Sequence, residues 1–437
     1  MSSVKTYFIF IFILLFATED FHAQEKLTLQ QAIEATLKNN LDILIEKNNA
    51  EVAANSNTLG NAGMLPRIDF QASTNFGNNA TKQEFSSGLV VDKTGVQSTN
   101  LNSGVYLTWT LFDGLKMFAS HKRLQELEVM GQLSSKIQIE NTISQLIITY
   151  YDVVRQKQLI KGLEENLLIS EERLKIAQKK FDIGSGSKLE VLQAKVDKNA
   201  QTAGLFRQRT LLSELKANLN QLMARGADVE FDVEEEIPNE FKLKYEEMKS
   251  SMEKNNSSLQ LLKSNIAVND QLIRESRSQL FPKLNFNANY LFTRSQNQAG
   301  FALLNQNLGL NLGFTASWTI FNGFNTNTQI KNARLQIDNA NYEYNNSKQL
   351  LNLQLHLLFK RYQDDAKLLE LEEENTKLAK EAVDIALERF RIGSSNSIEL
   401  KEIQRSYEEA LTRLAQARYN AKVSEVQLMK LNGEILK

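Results

Sequence analysis

The chain has 437 residues, room for two or three ordinary domains, and its three prolines and nineteen glycines leave few forced breaks, which favours long helices. Lys plus Arg (51) balances Asp plus Glu (52), so no basic field exists to hold nucleic acid. Cysteine is absent, which excludes disulfides, thiolate metal sites and a lipid-modified cysteine behind a leader.

At the N-terminus Lys5 precedes an apolar run from Tyr7 to Ala17 and a polar stretch ending in Ala23-Gln24, the pattern of a secretory signal removed at about residue 23. The competing reading is a membrane anchor, but the run falls short of the roughly 20 residues that span a bilayer. No later stretch approaches a transmembrane helix. β-Strands are then the remaining way through lipid.

A helix is expected over about 28–63, ending before Leu65-Pro66. The sequence then switches to period two: Ile68, Phe70, Ala72, Thr74 and Phe76 alternate with Arg67, Asp69, Gln71, Ser73 and Asn75, which predicts a strand over about 67–77. Val105, Leu107, Trp109 and Leu111 predict its return over about 102–112, with a polar loop at 78–100. Beyond Gly114 a helical hairpin is expected over about 115–225, turning at Gly184-Ser185-Gly186-Ser187. Its first arm, free of proline for some 65 residues, would reach about 100 Å at 1.5 Å per residue. Ile143, Leu146, Tyr150, Val153, Ile160, Leu163, Leu167, Leu174, Ala177 and Phe181 mark a coiled-coil seam along it. An acidic linker, 226–242, contains Pro238.

From 243 the same order recurs. A helix (243–280) is followed by strands over about 283–293 and 308–321 and by a hairpin over about 324–435, turning at Gly393-Ser394-Ser395-Asn396-Ser397. The matching words are explicit. Leu65-Pro66-Arg67-Ile68-Asp69-Phe70 returns as Phe281-Pro282-Lys283-Leu284-Asn285-Phe286, 216 positions on. Trp109-Thr110-Leu111-Phe112-Asp113-Gly114 returns as Trp318-Thr319-Ile320-Phe321-Asn322-Gly323, and Phe181-Asp182-Ile183-Gly184 as Phe390-Arg391-Ile392-Gly393, both 209 positions on. The length change therefore falls between the Pro and Trp anchors, and the Trp-to-turn distance is fixed. The second return arm carries its own seam, Leu400, Ile403, Tyr407, Ala410, Leu414, Ala417, Ala421, Leu428 and Leu431, interrupted by Ser424. The chain thus comprises two repeats, 24–225 and 243–437.

Four alternating strands of about ten residues match a tilted transmembrane strand. A soluble antiparallel sheet would alternate too, but aromatic residues near strand ends, among them Trp109 and Trp318, and small polar residues on the other face favour a lipid-facing barrel. Four strands cannot close one, so the chain must associate with itself. Eight strands from two copies would be filled by side chains, whereas twelve from three would leave a lumen.

These words in this order resemble the TolC family of outer-membrane efflux proteins: Leu27-Thr28-Leu29-Gln30-Gln31-Ala32 with Asn39-Asn40, Leu65-Pro66, Trp109 to Gly114, Phe181-x-x-Gly184 with Glu190-Val191-Leu192-x-Ala194, and their second-half equivalents. The resemblance covers essentially the whole mature chain. It implies a homotrimer with a twelve-stranded barrel in outer-membrane lipid and a twelve-helix coiled-coil periplasmic tunnel, without a cofactor. It also implies export through a periplasmic adaptor and an inner-membrane pump of RND or ABC type, in a tripartite efflux or type I secretion system. The family's acidic constriction, carried over by position from Gly393, falls on Glu399 and Glu402, with Glu190 and Gln193 as first-half counterparts. The hairpin tips Gly184, Ser185, Gly393 and Ser394 would meet the adaptor. The rival reading of the constriction is solvated helix-surface carboxylates.

Two other functions fit the sequence less well. An enzyme is disfavoured because His121 and His356 each stand alone on a helix, Asp364-Asp365 reads as a solvated face, and no glycine-rich phosphate loop occurs. A periplasmic adaptor or coiled-coil scaffold would share the leader and hairpins but would not need two equivalent strand pairs.

Overall fold

A computed structural model describes residues 26–239, 241–299 and 302–436; the expected leader, 1–23, lies outside them. In chain order the elements are β1 (Lys26–Leu27), α1 (Leu29–Asn39), α2 (Leu41–Ser56), β2 (Arg67–Glu84), β3 (Val90–Phe112), α3 (Lys116–Asp182), α4 (Lys188–Leu222) and β4 (Asp232–Val233), then α5 (Tyr245–Asn255), α6 (Ser257–Ser278), β5 (Lys283–Asn297), β6 (Leu304–Ser317), α7 (Asn325–Arg391) and α8 (Ser397–Leu431). They form two compact units. One is built from residues up to Ile45, Ile137–Asn256 and the chain from Leu350; the other from Glu46–Lys136 and Ser257–Gln349. Each unit draws on both sequence repeats, so the compact bodies are not the repeats themselves.

In the second unit β2, β3, β5 and β6 form one antiparallel sheet in that order. The alternation sets the register: Ile68 stands opposite Leu107, Leu107 opposite Ala288 and Ala288 opposite Leu312, and the next such row is Phe70, Val105, Tyr290 and Leu310. These residues share one face and are largely solvent-exposed in the single chain, Phe70 at 72% and Leu310 at 63%. Between those rows lies a polar one, Asp69, Tyr106, Asn289 and Asn311, in which Asn311 Nδ2 donates to Asn289 Oδ1 at 2.9 Å. Among the described residues β2 and β6 each pair on one side only.

The strands differ from their expected bounds. β2 and β3 continue through Asn78–Glu84 and Val90–Leu101, expected as loop, because backbone pairing persists where side chains no longer alternate. β6 begins at Leu304 and stops at Ser317, so Trp318 to Phe321 lie past the strand expected to reach 321.

The fixed Trp-to-turn distance appears as matched helices: α3 and α7 have 67 residues each, α4 and α8 35 each. In the first unit Ile143, Leu146, Tyr150 and Val153 of α3 are buried with Leu219, Met223, Phe231 and Val233. Each such side chain contributes about 1.5–3 kcal/mol of hydrophobic stabilisation. The stretch 226–242, expected as a linker, is therefore partly core, and β4 pairs in parallel with β1. Burial pushes the Tyr150 hydroxyl up to about 12. Its O–H donates to Leu27 O at 3.0 Å and it accepts from Glu234 N–H at 3.4 Å, joining both short strands to α3.

The helices expected over 28–63 and 243–280 are each broken once, at Asn40 and Asn256, 216 positions apart like the prolines. Asn40 leaves the helical region (ψ 125°), and its Oδ1 accepts from Asp42 and Ile43 N–H, capping the next helix. Asn40 Nδ2 donates to Leu222 O and Asn256 Nδ2 to Leu431 O, both at 2.9 Å, the last helical residues of the two return arms. The break is thus a duplicated joint between an entry helix and the end of its own hairpin.

Candidate functional site

At the base of the sheet the two tryptophans make equivalent bonds. Trp109 Nε1 donates to Met64 O at 3.0 Å and Trp318 Nε1 to Leu280 O at 3.1 Å, each carbonyl lying two residues before a repeat proline. This accounts for Trp and Pro recurring together: the indole ties the end of one strand to the start of its neighbour. Next come paired left-handed residues, Gly114 and Leu115 (φ 72° and 70°) and Gly323 and Phe324 (φ 67° and 65°), which swing the chain from strand to helix. Asp113 caps the first helix by accepting from Met117 N–H at 3.0 Å.

At the other end of the arms, both turns close alike. Gly184 and Gly393 take positive φ, and Ser185 N–H and Ser394 N–H each donate at 2.9 Å to a carbonyl five residues back, Lys180 O and Arg389 O. Ser187 then caps α4 through Leu189 N–H, and Asn396 caps α8 through Ile398 and Glu399 N–H. Ile183 and Ile392, flanking the glycines, are 79% and 75% exposed. The four tip residues Gly184, Ser185, Gly393 and Ser394 are accordingly a rigid, repeated and uncovered surface.

The acidic candidates differ from one another. Glu399 lies in the first turn of α8, where its Oε1 meets Arg389 Nη1 at 2.7 Å and its Oε2 accepts from Ser395 Oγ at 2.9 Å. Glu402, on the next turn, is exposed and has no ion-pair partner among the described residues. Glu190 is half-buried in the first turn of α4, and Gln193 is exposed. Lys180, the first-half counterpart of Arg389, instead crosses to the second hairpin: its Nζ donates to Phe390 O at 2.6 Å and stands 4.2 Å from the Phe390 ring centroid.

Sequence reasoning missed a polar ladder between the hairpins near the tips. Arg173, with a side chain only 3% exposed, donates to Asp197 Oδ2 at 2.8 Å and Ser397 Oγ at 3.1 Å, and Lys401 reaches Asp197 Oδ1 at 2.8 Å. Burial works to raise the Asp197 carboxyl, but the bonds from Lys401 and Arg173 outweigh it and hold it below its ordinary value. One turn along, Gln404 Nε2 donates to Ser170 Oγ at 2.6 Å and to Asn166 O at 3.0 Å, and Ser170 Oγ bonds Gln201. Asn166 Nδ2 donates to Glu408, whose carboxyl burial pushes up despite that bond. Two other expectations change: Asp365, taken as solvated, accepts from buried Ser424 Oγ at 2.9 Å, and Phe181, expected in the seam, is 38% exposed, whereas its counterpart Phe390 is 1% exposed. No group of three or more His, Asp or Glu among the described residues could hold a metal ion.

A sheet with an exposed apolar face, followed in each repeat by a left-handed turn and a long helical hairpin, is the fold of solved outer-membrane channels. The solved structures agree in fold. The Campylobacter jejuni CmeC outer membrane channel is similar with a TM-score of 0.75 at 16% identity, covering 93% of this chain and 86% of that one. The outer membrane protein VceC of Vibrio cholerae gives 0.75 at 14%, covering 93% and 96%. The outer membrane efflux protein BepC of Brucella suis is 26% identical over 126 residues, 29% of this chain, so the match spans about a quarter (27%) of that relative's length. The sequence profile of the outer membrane efflux protein family matches residues 32–225 and 249–434, most of both repeats, and the chain belongs to that family. Membership places it among outer membrane efflux proteins, and the adaptor reading is not favoured.

Proposed function

We propose that three copies of this chain close a twelve-stranded barrel in the outer membrane, continued by twelve helices as a periplasmic tunnel, and act as a passive exit duct. An inner-membrane pump of RND or ABC type, joined through a periplasmic adaptor, would drive solutes into it. One observation carries this reading: four strands with aligned apolar rows on one face, polar rows on the other and an unpaired edge on each side. Edges unpaired in lipid leave backbone groups unsatisfied at several kcal/mol each, and pairing β6 of one copy with β2 of the next removes them.

In this reading Trp109 and Trp318 sit at the membrane interface, where their amphipathic rings suit the headgroup region. The tips Gly184, Ser185, Gly393 and Ser394 receive the adaptor. Threefold symmetry gathers Glu399, Glu402 and Glu190 into rings at the periplasmic constriction, where like charges attract cations. Glu402 is the stronger candidate of the first two because Arg389 already offsets Glu399. Fractionation tests the proposal: the protein should be recovered from outer membranes as a trimer that dissociates only on heating. Recovery from the soluble periplasm would overturn it.

A further inference from the structure

Beside the strand-to-helix turn of the first repeat, a cavity of about 280 Å³ lies between the start of α3 and the end of α6. From one side come Leu115, Phe118 and Lys122, whose spacing of three and four puts them on one helix face, and from the other Gln271, Arg274, Arg277 and Phe281. The turn itself is fixed in place, because Gly114 packs on Ser278 O too closely for any side chain to fit between them.

The lining divides by chemistry. Leu115, Phe118 and Phe281 are apolar yet 60%, 56% and 53% exposed, a cluster that water does not favour. Beside them stand three exposed cations. Arg274 is paired with Asp270 at 3.0 Å, whereas Lys122 and Arg277 have no ion-pair partner among the described residues. Glu275 does not neutralise them, since it is engaged by Arg123 and by Ser120 Oγ, both at 2.8 Å. Gln271 is 8% exposed, and its Oε1 has no partner among the described residues. Unpaired cations and a buried amide next to uncovered apolar rings suit an occupant with an anionic polar head and an apolar body.

The repeat shows that the fold does not require this lining. The counterparts of Gln271, Arg274 and Arg277, 216 positions earlier, are Asn55, Thr58 and Asn61, and that of Phe118, 209 positions on, is Asn327. Of the polar lining only Lys122 recurs, as Lys331. The same strand-to-helix joint is therefore made without the arginines. The cavity also lies level with the tryptophans, since Trp318 bonds Leu280 O, one residue before Phe281. On the outer-membrane reading that is headgroup depth in the periplasmic leaflet.

We infer that this cavity binds one anionic phospholipid per chain, its phosphate held by Lys122, Arg274 and Arg277 and its glycerol backbone and upper acyl chains covering Leu115, Phe118 and Phe281. The inference rests on the outer-membrane reading but not on the trimer, because the whole site lies within one chain. Native mass spectrometry of the full-length, detergent-extracted protein tests it by counting bound lipids, with phosphatidylglycerol as the probe and phosphatidylcholine, which has no net charge, as the comparison. The expected result is one phosphatidylglycerol per chain, preferred over phosphatidylcholine and not displaced by excess inorganic phosphate. A cation beside anionic lipid is worth about fivefold, so Lys122→Gln with Arg277→Gln, both at exposed positions, should weaken binding about thirtyfold. Lys331→Gln, at the counterpart position, should leave it unchanged. Equal binding by the double variant, equal loss in Lys331→Gln, no preference for phosphatidylglycerol, or its displacement by inorganic phosphate overturns the inference. Recovery of the protein from the soluble periplasm defeats the outer-membrane reading, whereas recovery from membranes with unselective lipid binding defeats the inference alone.

Discussion

Replacing the two partners of the buried ion pair one at a time should have unequal effects. With Asp197→Asn, Arg173 remains charged at 3% exposure with Ser397 Oγ at 3.1 Å. Stranding one partner of a buried pair costs about 3–5 kcal/mol, and the amide carbonyl that replaces the carboxylate keeps this case near 3. Arg173→Met instead leaves Asp197 at 19% exposure and still bound to Lys401 at 2.8 Å, while the methionine stem fills the space, a loss of about 1 kcal/mol. The difference of about 2 kcal/mol is roughly thirty-fold in a local opening equilibrium. Native-state hydrogen exchange at the α3 amides from Asn166 to Ala177, measured on detergent-solubilised protein, reads that equilibrium directly. Equal protection in the two variants, or weaker protection in Arg173→Met, would refute the view that Lys401 compensates one partner and not the other.

Further expectations follow from the same geometry. The folded state takes up the Glu408 proton more readily than the unfolded chain, so that group's stabilisation is complete below about pH 4 and fades as pH rises through the raised value. Glu408→Gln should therefore raise the unfolding temperature near neutral pH with a gain that vanishes in acid; a pH-independent gain would contradict the assignment. Glu399→Ala with Glu402→Ala should shift the reversal potential toward lower cation selectivity, Glu402→Ala alone carrying most of it, and an unchanged potential sinks the constriction. Gly114→Ala would place a Cβ 2.4 Å from Ser278 O at φ +72°, and the chain should fail to accumulate in the outer membrane. At Gly323, also at positive φ (67°), nothing among the described residues beyond its chain neighbours lies within 4 Å of the added carbon, so Gly323→Ala carries the backbone strain alone and should accumulate in outer membranes better than Gly114→Ala.

What the sequence disclosed was whatever repeats or alternates. The 209-residue spacing foretold two pairs of equal helices, and Ile68 to Phe76 announced a strand because one face had to be apolar throughout. Asn78 to Glu84 gave no such signal, since beyond the apolar band nothing selects a face, yet the ladder continued through the backbone. Asn40 belonged to a recognisable word, but its role as a joint depends on Leu222, 182 positions away. The tip ladder was hidden for a similar reason: Asn166, Ser170 and Arg173 look like a wetted helix face until α8 supplies Ser397, Gln404 and Glu408. The linker deceived in the opposite sense, its run of glutamates masking Phe231 and Val233, which enter the core.

On the proposed trimer, the four strands of each chain are completed only by other copies of the same chain. Light scattering of the purified, detergent-solubilised protein, corrected for bound detergent, measures the number of chains per particle. Three chains is the expected result, and a uniform single-chain particle that still conducts in bilayers would contradict the account.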